Sequence, residues 1–144
     1  MIKLIVVGKT KENYFNDASD EYVKRLSRYV NLKVIEIKDS DIEEESEKIM
    51  KSIKEKDTVI GLDINGKQYD SVELSKFINN KLASNTNITF VIGGSYGLGE
   101  DVLKRCDYKI SFSKLTFPHK LFKIMFLEQL YRAFKIENNE SYHK

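Results

Sequence analysis

Apolar residues recur along this chain in two rhythms. Short continuous or alternating runs, the pattern of strands, occur at Ile2–Val7, Leu32–Ile37, Thr58–Leu62, Ile88–Ile92 and about 108–112. Helical spacing fills the intervals. Phe15, Ala18, Tyr22, Leu26 and Tyr29 predict a helix over 12–30, and Ile42, Ile49, Met50 and Ile53 predict one from Ser40 to about 55. A third runs from Asp70 through Leu82, a short one covers about 99–105, and a long one runs from Pro118 to about Phe134. Ser40 with Glu43, and Asp70 with Glu73, have capping-box spacing, and Asn65-Gly66 reads as a turn. The last ten residues read as a polar tail. Strands and helices in this order predict an α/β fold, a mainly parallel sheet with helices on both faces, and one domain over 1–144.

Such sheets hold ligands beyond the carboxyl ends of their strands. Three loops leave those ends, at 62–70, 93–99 and 112–118. The segment Gly93-Gly94-Ser95-Tyr96-Gly97-Leu98-Gly99 lets backbone approach a ligand closely, although a glycine cluster alone is equally the mark of a tight turn. It lacks the Gly-Lys-Ser/Thr of a phosphate loop and the spacing of a dinucleotide fingerprint. Ser113-Lys-Leu-Thr-Phe-Pro118 places Leu115 and Phe117 between a strand and a helix, either as a hydrophobic staple or as walls for a flat apolar ligand. Thr116 is a candidate cap for the final helix. That helix is apolar nearly all round, so it is either central in the fold or covered by a second subunit, and a homodimer is the expected state. Glu128 and Arg132, four residues apart, are placed to pair on its surface. The tail is either a frayed end or a flap carrying Tyr142 and His143.

Composition narrows the class. With 41% hydrophobic and 32% charged residues in 144, the chain is not a disordered one. No run approaches a membrane span, and the N-terminal apolar block is too short for a signal peptide. The single cysteine, Cys106, excludes a disulfide framework and reads as a small buried side chain, which fits a reducing cytoplasm. His119 and His143 are the only histidines and lack ligand-spaced partners, so no metal site is expected. The net charge of +2 conceals an asymmetry: +3 over 1–38 and +5 over 104–144 enclose an acidic middle. This favours an anionic partner at a surface built from both ends, or equally solvated helix faces.

Five segments together resemble one family. They are Leu62-Asp-Ile-Asn-Gly-Lys67, Phe90-Val-Ile-Gly-Gly-Ser-Tyr-Gly-Leu98, Leu115-Thr-Phe-Pro-His119, Glu128-Gln-Leu-Tyr-Arg-Ala133 and Tyr142-His-Lys144. In order and spacing, over the whole length, the chain resembles the bacterial large-subunit ribosomal RNA methyltransferase H family, in the SPOUT class. The resemblance implies a homodimeric enzyme that uses S-adenosylmethionine to methylate N3 of a pseudouridine in 23S ribosomal RNA, on the assembled ribosome. It implies a C-terminal trefoil knot, which periodicity cannot reveal. It also implies a cofactor site made by Leu62, Gly94, Ser113, Lys114, Leu115, Thr116, Phe117 and Pro118. Tyr96 stands where many relatives carry glutamate, and Asn139-Glu-Ser141 replaces a common Gly-x-Pro.

Residue type and family position together suggest roles. Arg132 is the candidate cation beside the imide oxygens, His143 the candidate proton acceptor, and Tyr142 the group that stacks on or hydrogen-bonds the flipped base. Lys9, Lys11, Lys24, Arg25, Arg28, Lys114 and Lys120 are candidate phosphate contacts. Other readings are a SPOUT enzyme with another RNA target, a ribosome-associated binding protein without cofactor, and a flavodoxin-like nucleotide module. The Tyr-His-Lys terminus, the intact Gly93-Gly94 and Leu-Thr-Phe-Pro loops, and the absence of a phosphate loop after the first strand argue against them in turn.

Overall fold

A computed structural model describes all residues, 1–144. Five strands form one sheet: β1 (Ile2–Val7), β2 (Leu32–Ile37), β3 (Thr58–Gln68), β4 (Ile88–Ile92) and β5 (Tyr108–Ser111). Their order is β2-β1-β4-β3-β5, and every neighbouring pair is parallel. The helices are α1 (Asn13–Leu26), α2 (Ile42–Lys51), α3 (Ser71–Ser84), α4 (Glu100–Arg105) and α5 (His119–Glu137).

Side-chain alternation assigns the two faces. Ile2, Leu4 and Val6 of β1 join the larger core with Leu26 of α1, Leu74 and Ile78 of α3, and Phe126 and Leu130 of α5. Ile5 and Val7 point the other way, into a smaller core with Ile49 of α2 and Val102 of α4. Helix α5 packs against both α1 and α3, so it is the central helix of its layer. Its apolar girdle is thereby explained within one chain: the sheet lies beneath it and a helix on each flank. Phe90 and Phe126, both fully buried, meet at 4.8 Å where α5 crosses the sheet.

Several boundaries differ from the sequence reading. Helix α1 stops at Leu26 and α2 at Lys51, whereas α5 continues to Glu137. The α2 cap is Asp41, whose side chain accepts from the Glu44 backbone N–H at 2.8 Å, in place of the expected Ser40–Glu43 box. The Asp70–Glu73 box is present in both directions. Thr116 does not cap α5, which begins at His119 with Pro118 in the N-cap position. The expected turn at Asn65-Gly66 is an excursion inside one long strand. After Leu62 pairs with Ile110, the chain leaves register and returns at Lys67 to the same partner. A Cβ at Gly66 would lie 2.7 Å from Ile110 backbone, so only glycine permits this approach.

At the opposite end of the sheet, the Lys3 ammonium donates to the Ser52 carbonyl at 2.6 Å and to Asp57 at 3.1 Å. Asp57 also accepts from the Lys54 N–H and the Thr89 hydroxyl. This buried node ties β1, β4 and the start of β3 together.

Candidate functional site

The carboxyl ends of β3, β4 and β5 and the start of α5 enclose a cleft of about 310 Å³. Its walls are largely apolar, from Leu62, Ile92, Leu115, Phe117 and Phe122, while Gly93 and Gly94 expose backbone along one side. Phe117 lies nearly parallel to Phe122, 6.4 Å away. Leu115 is 71% exposed at the mouth. Local hydrogen bonds shape its loop: the Ser111 hydroxyl donates to the Ser113 carbonyl, and the Ser113 hydroxyl oxygen accepts from the Leu115 N–H, both at 3.0 Å. The glycine loop closes through the Gly97 N–H on the Gly94 carbonyl, with Gly97 at φ 72°, in the left-handed region.

Of the sequence-predicted cofactor residues, Leu62, Gly94, Ser113, Leu115, Thr116 and Phe117 line this cleft. Lys114 faces a neighbouring hollow with Ile64 and Asn65, and Pro118 caps the start of α5 outside the lining. The reason for glycine at 94 also differs from the expected one. A Cβ there would meet Val7 at 2.9 Å and Asp39 at 3.2 Å, so close packing within the protein requires it. Sequence reading missed His119 and Phe122, which line the cleft from the first turn of α5. It also missed Glu45, a buried carboxylate on an otherwise acidic, exposed helix face. The only available signal for His119 was its place directly after Leu-Thr-Phe-Pro. Glu45 gave none, because its neighbours are also glutamates.

The cleft suits an adenosine-containing ligand: flat apolar walls, exposed backbone polar groups along one edge, and the volume of a small-molecule site. Two buried atoms near its Gly94 end lack hydrogen-bond partners, Glu45 Oε1 and His119 Nε2. No group of three His, Cys, Asp or Glu side chains converges as a metal site. Burial pushes the Cys106 thiol up from its ordinary value, which suits a packing role against Gly61.

Arg132, Tyr142 and His143 gather at the far end of α5. Glu128 accepts from Arg132 Nε at 2.8 Å and from Nη2 at 2.6 Å, and this pairing raises the guanidinium pKa. Arg132 Nη1 lies 3.0 Å from His143 Nδ1, and the guanidinium sits 4.8 Å from the Tyr142 ring centre. Tyr142 packs edge-on against Tyr131, and burial with the nearby Tyr22 pushes its phenol pKa up to about 12. The tail is therefore docked, not frayed. Asn139, at φ 53°, turns the chain back, and Glu140 accepts from the Tyr29 hydroxyl at 2.8 Å and from Lys135 at 3.1 Å. Those two bonds hold the Glu140 carboxyl below its ordinary pKa. Arg132 lies thirteen positions along the helix from His119, about 20 Å at 1.5 Å per residue. One chain thus presents the cleft and the arginine cluster as separate sites.

Among the candidate phosphate contacts, Lys120 pairs with Glu12, and Arg25 pairs with Glu21. Lys9, Lys11, Lys24, Arg28 and Lys114 are exposed. No helix is long and apolar enough to cross a membrane.

Comparison with known proteins agrees with this architecture. A family model described as "Predicted SPOUT methyltransferase" matches residues 1–143. The chain is 50% identical to a ribosomal RNA large subunit methyltransferase H from Clostridium botulinum (strain Alaska E43 / Type E3), covering 99% of each. It is 49% identical to a ribosomal RNA large subunit methyltransferase H 1 of Clostridium perfringens (strain SM101 / Type A), again over 99% of each. Two solved structures share the fold at low identity. A probable methylase family protein from Haemophilus influenzae Rd KW20 aligns with a TM-score of 0.60 at 13% identity, covering 99% of this chain and 70% of that one. A probable methyltransferase from Bordetella pertussis Tohama I aligns at 0.61 and 9% identity, covering 92% and 95%. The match along the whole chain, on an all-parallel sheet with its cleft at the carboxyl ends of β3–β5, places the protein in the SPOUT methyltransferase family, among the ribosomal RNA large subunit methyltransferases H.

Proposed function

We propose that the protein transfers a methyl group from S-adenosylmethionine to N3 of a pseudouridine in 23S ribosomal RNA, acting on the assembled ribosome in the cytoplasm. The observation that carries this reading is the apolar, backbone-edged cleft formed by the three loops at the ends of β3, β4 and β5, in a chain half identical to methyltransferase H enzymes throughout. The trefoil knot that the resemblance implies, with the C-terminal segment threaded through a loop, belongs to the same proposal.

The donor supplies an already activated methyl group. Leu62, Leu115 and Phe117 would pack around its adenine, and the backbone near Gly94 and 113–118 would hydrogen-bond the base edge. The protein's remaining task is to align the acceptor nitrogen and to accept its proton. Arg132, held by Glu128, places positive charge beside the imide oxygens and favours the N3 anion. Tyr142 stacks on the flipped base. Arginine nitrogens only donate, so in the structure His143 Nδ1 is the acceptor and a neutral ring carries its proton on Nε2. For His143 to take the N3 proton, Arg132 must move from Nδ1 toward the imide oxygen, which couples the two roles. No metal takes part in this scheme.

The separation of cleft and arginine cluster within one chain favours a homodimer, in which the tail of one subunit serves the cleft of the other. Exposed Leu115 and Leu121 support it, as does an apolar hollow of about 630 Å³ beside Tyr22, Phe112, Ile124 and Met125. Light scattering at low micromolar concentration is expected to give twice 16.8 kDa. A monomer mass there would remove this arrangement. The activity itself is tested by mass spectrometry of ribosomal RNA from cells with and without the gene. One methyl group missing from one pseudouridine of 23S RNA is expected, and an unchanged modification pattern would overturn the assignment.

A further inference from the structure

The two atoms left unpaired near the cleft share one surrounding. Gly8 follows β1 and Gly94 follows β4, and these strands are hydrogen-bonded neighbours, with Val6 beside Ile92. A Cβ on Gly8 would lie 2.6 Å from His119 Nε2 and 3.5 Å from Asp39 Oδ2. A Cβ on Gly94 would lie 3.2 Å from Asp39 Oδ1 and 3.6 Å from Glu45 Oε1. The two glycines thus let two carboxylates and an imidazole close in on the ends of β1 and β4.

Glu45 is 3% exposed, and its Oε2 accepts from the Ser40 N–H at 2.9 Å. Its Oε1 and His119 Nε2 are buried without any partner. No lysine or arginine forms a salt bridge with Asp39 or Glu45. A buried acceptor without a donor is costly, and more so when charged. The arrangement therefore calls for a donor-rich cation from outside the protein. His119 and Gly94 both line the cleft, and Asp39 is exposed, so the group borders the ligand site on one side and solvent on the other.

We infer that Asp39, Glu45 and His119 form an anionic subsite at the β1–β4 end of the cleft, which takes the α-ammonium of the methyl donor's amino-acid end. An ammonium carries three N–H donors, one for each acceptor, with the His119 proton then on Nδ1. A uracil-type imide has a single N–H and would leave two acceptors unmatched. The inference rests on the cofactor reading above. It adds that the acidic residues hold one end of the donor, fixing the direction in which the sulfonium points.

The test is calorimetry with two ligands, S-adenosylhomocysteine and its desamino analogue, which lacks only the ammonium. Unaltered protein is expected to bind the parent at least tenfold more tightly than the analogue, about 1.4 kcal/mol. Glu45→Gln keeps the shape and an acceptor for Ser40. It is expected to weaken S-adenosylhomocysteine at least tenfold and to leave the analogue within twofold. Asp39→Asn, at an exposed side chain, is expected to shift affinity in the same selective way. Equal losses for both ligands, or none for either, in Asp39→Asn and in folded Glu45→Gln would overturn the subsite. Failure of unaltered protein to bind either ligand would instead remove the cofactor reading beneath it.

Discussion

Removal of Tyr142 to Lys144 is expected to leave cofactor affinity within about twofold and to reduce methyl transfer to ribosomes at least a hundredfold, the scale of losing an acid–base group together with substrate positioning. The removed side chains touch Arg132 and Tyr131, at the end of α5 remote from the cleft. The main anchor of the tail survives, because Glu140 keeps Tyr29 and Lys135. Tyr142 is half-buried against the edge of the larger core, so some stability is lost without loss of the fold. The check is a paired measurement on the truncated protein: calorimetry for cofactor affinity and tritiated methyl incorporation into ribosomes. Full activity would return the tail to a purely structural role. Lost cofactor binding would mean that the tail closes the cofactor pocket.

Asp57→Ala is expected to cost about 3 kcal/mol or more at neutral pH, the scale for breaking a buried ion pair from one side. Lys3 would keep only the Ser52 carbonyl, and the Lys54 N–H and Thr89 hydroxyl would lose an acceptor. Burial by itself pushes the Asp57 pKa up, but the Lys54 N–H and the Lys3 ammonium outweigh it and hold the group below its ordinary value. With the folded value depressed, the stabilisation is complete above the unfolded value, about 3.9, and is lost as pH falls through the lower folded value. Urea unfolding at pH 7 and near pH 3 checks this: the gap between native protein and variant should narrow in acid. A constant gap would assign the effect to packing alone. The node lies at the amino ends of the strands, so folded variant should retain cofactor affinity.

The alternation of strands and helices was legible because it depends on local pattern: five apolar runs and helical spacing between them. The Asp70–Glu73 cap was legible for the same reason, since both partners lie within one helical turn. The β3 excursion was not. Its form depends on Ile110, more than forty residues away, and Asn65-Gly66 has the same composition whether it reverses the chain or merely lifts out of register. In the cleft, Leu115 and Phe117 announced themselves as apolar residues in a loop. Glu45 could not, because burial distinguishes it from Glu43, Glu44 and Glu47, and burial follows from how α2 meets the glycine loop. Gly94 was found for a reason that the structure replaces: its missing side chain makes room for Val7 and Asp39. The tail's docking likewise depends on a left-handed turn at Asn139, which composition alone does not fix.

Helix α5 both walls the cleft, through His119 and Phe122, and carries Arg132. A helix of 19 residues anchored on both flanks and beneath acts as a ruler between these groups. Adding or deleting one residue would turn Arg132 by about 100° around the axis and shift it by about 1.5 Å. Side chains along the middle of α5 are therefore free to vary as packing allows, while its residue count is not. A change of length in the connections outside α5 would leave the ruler unchanged.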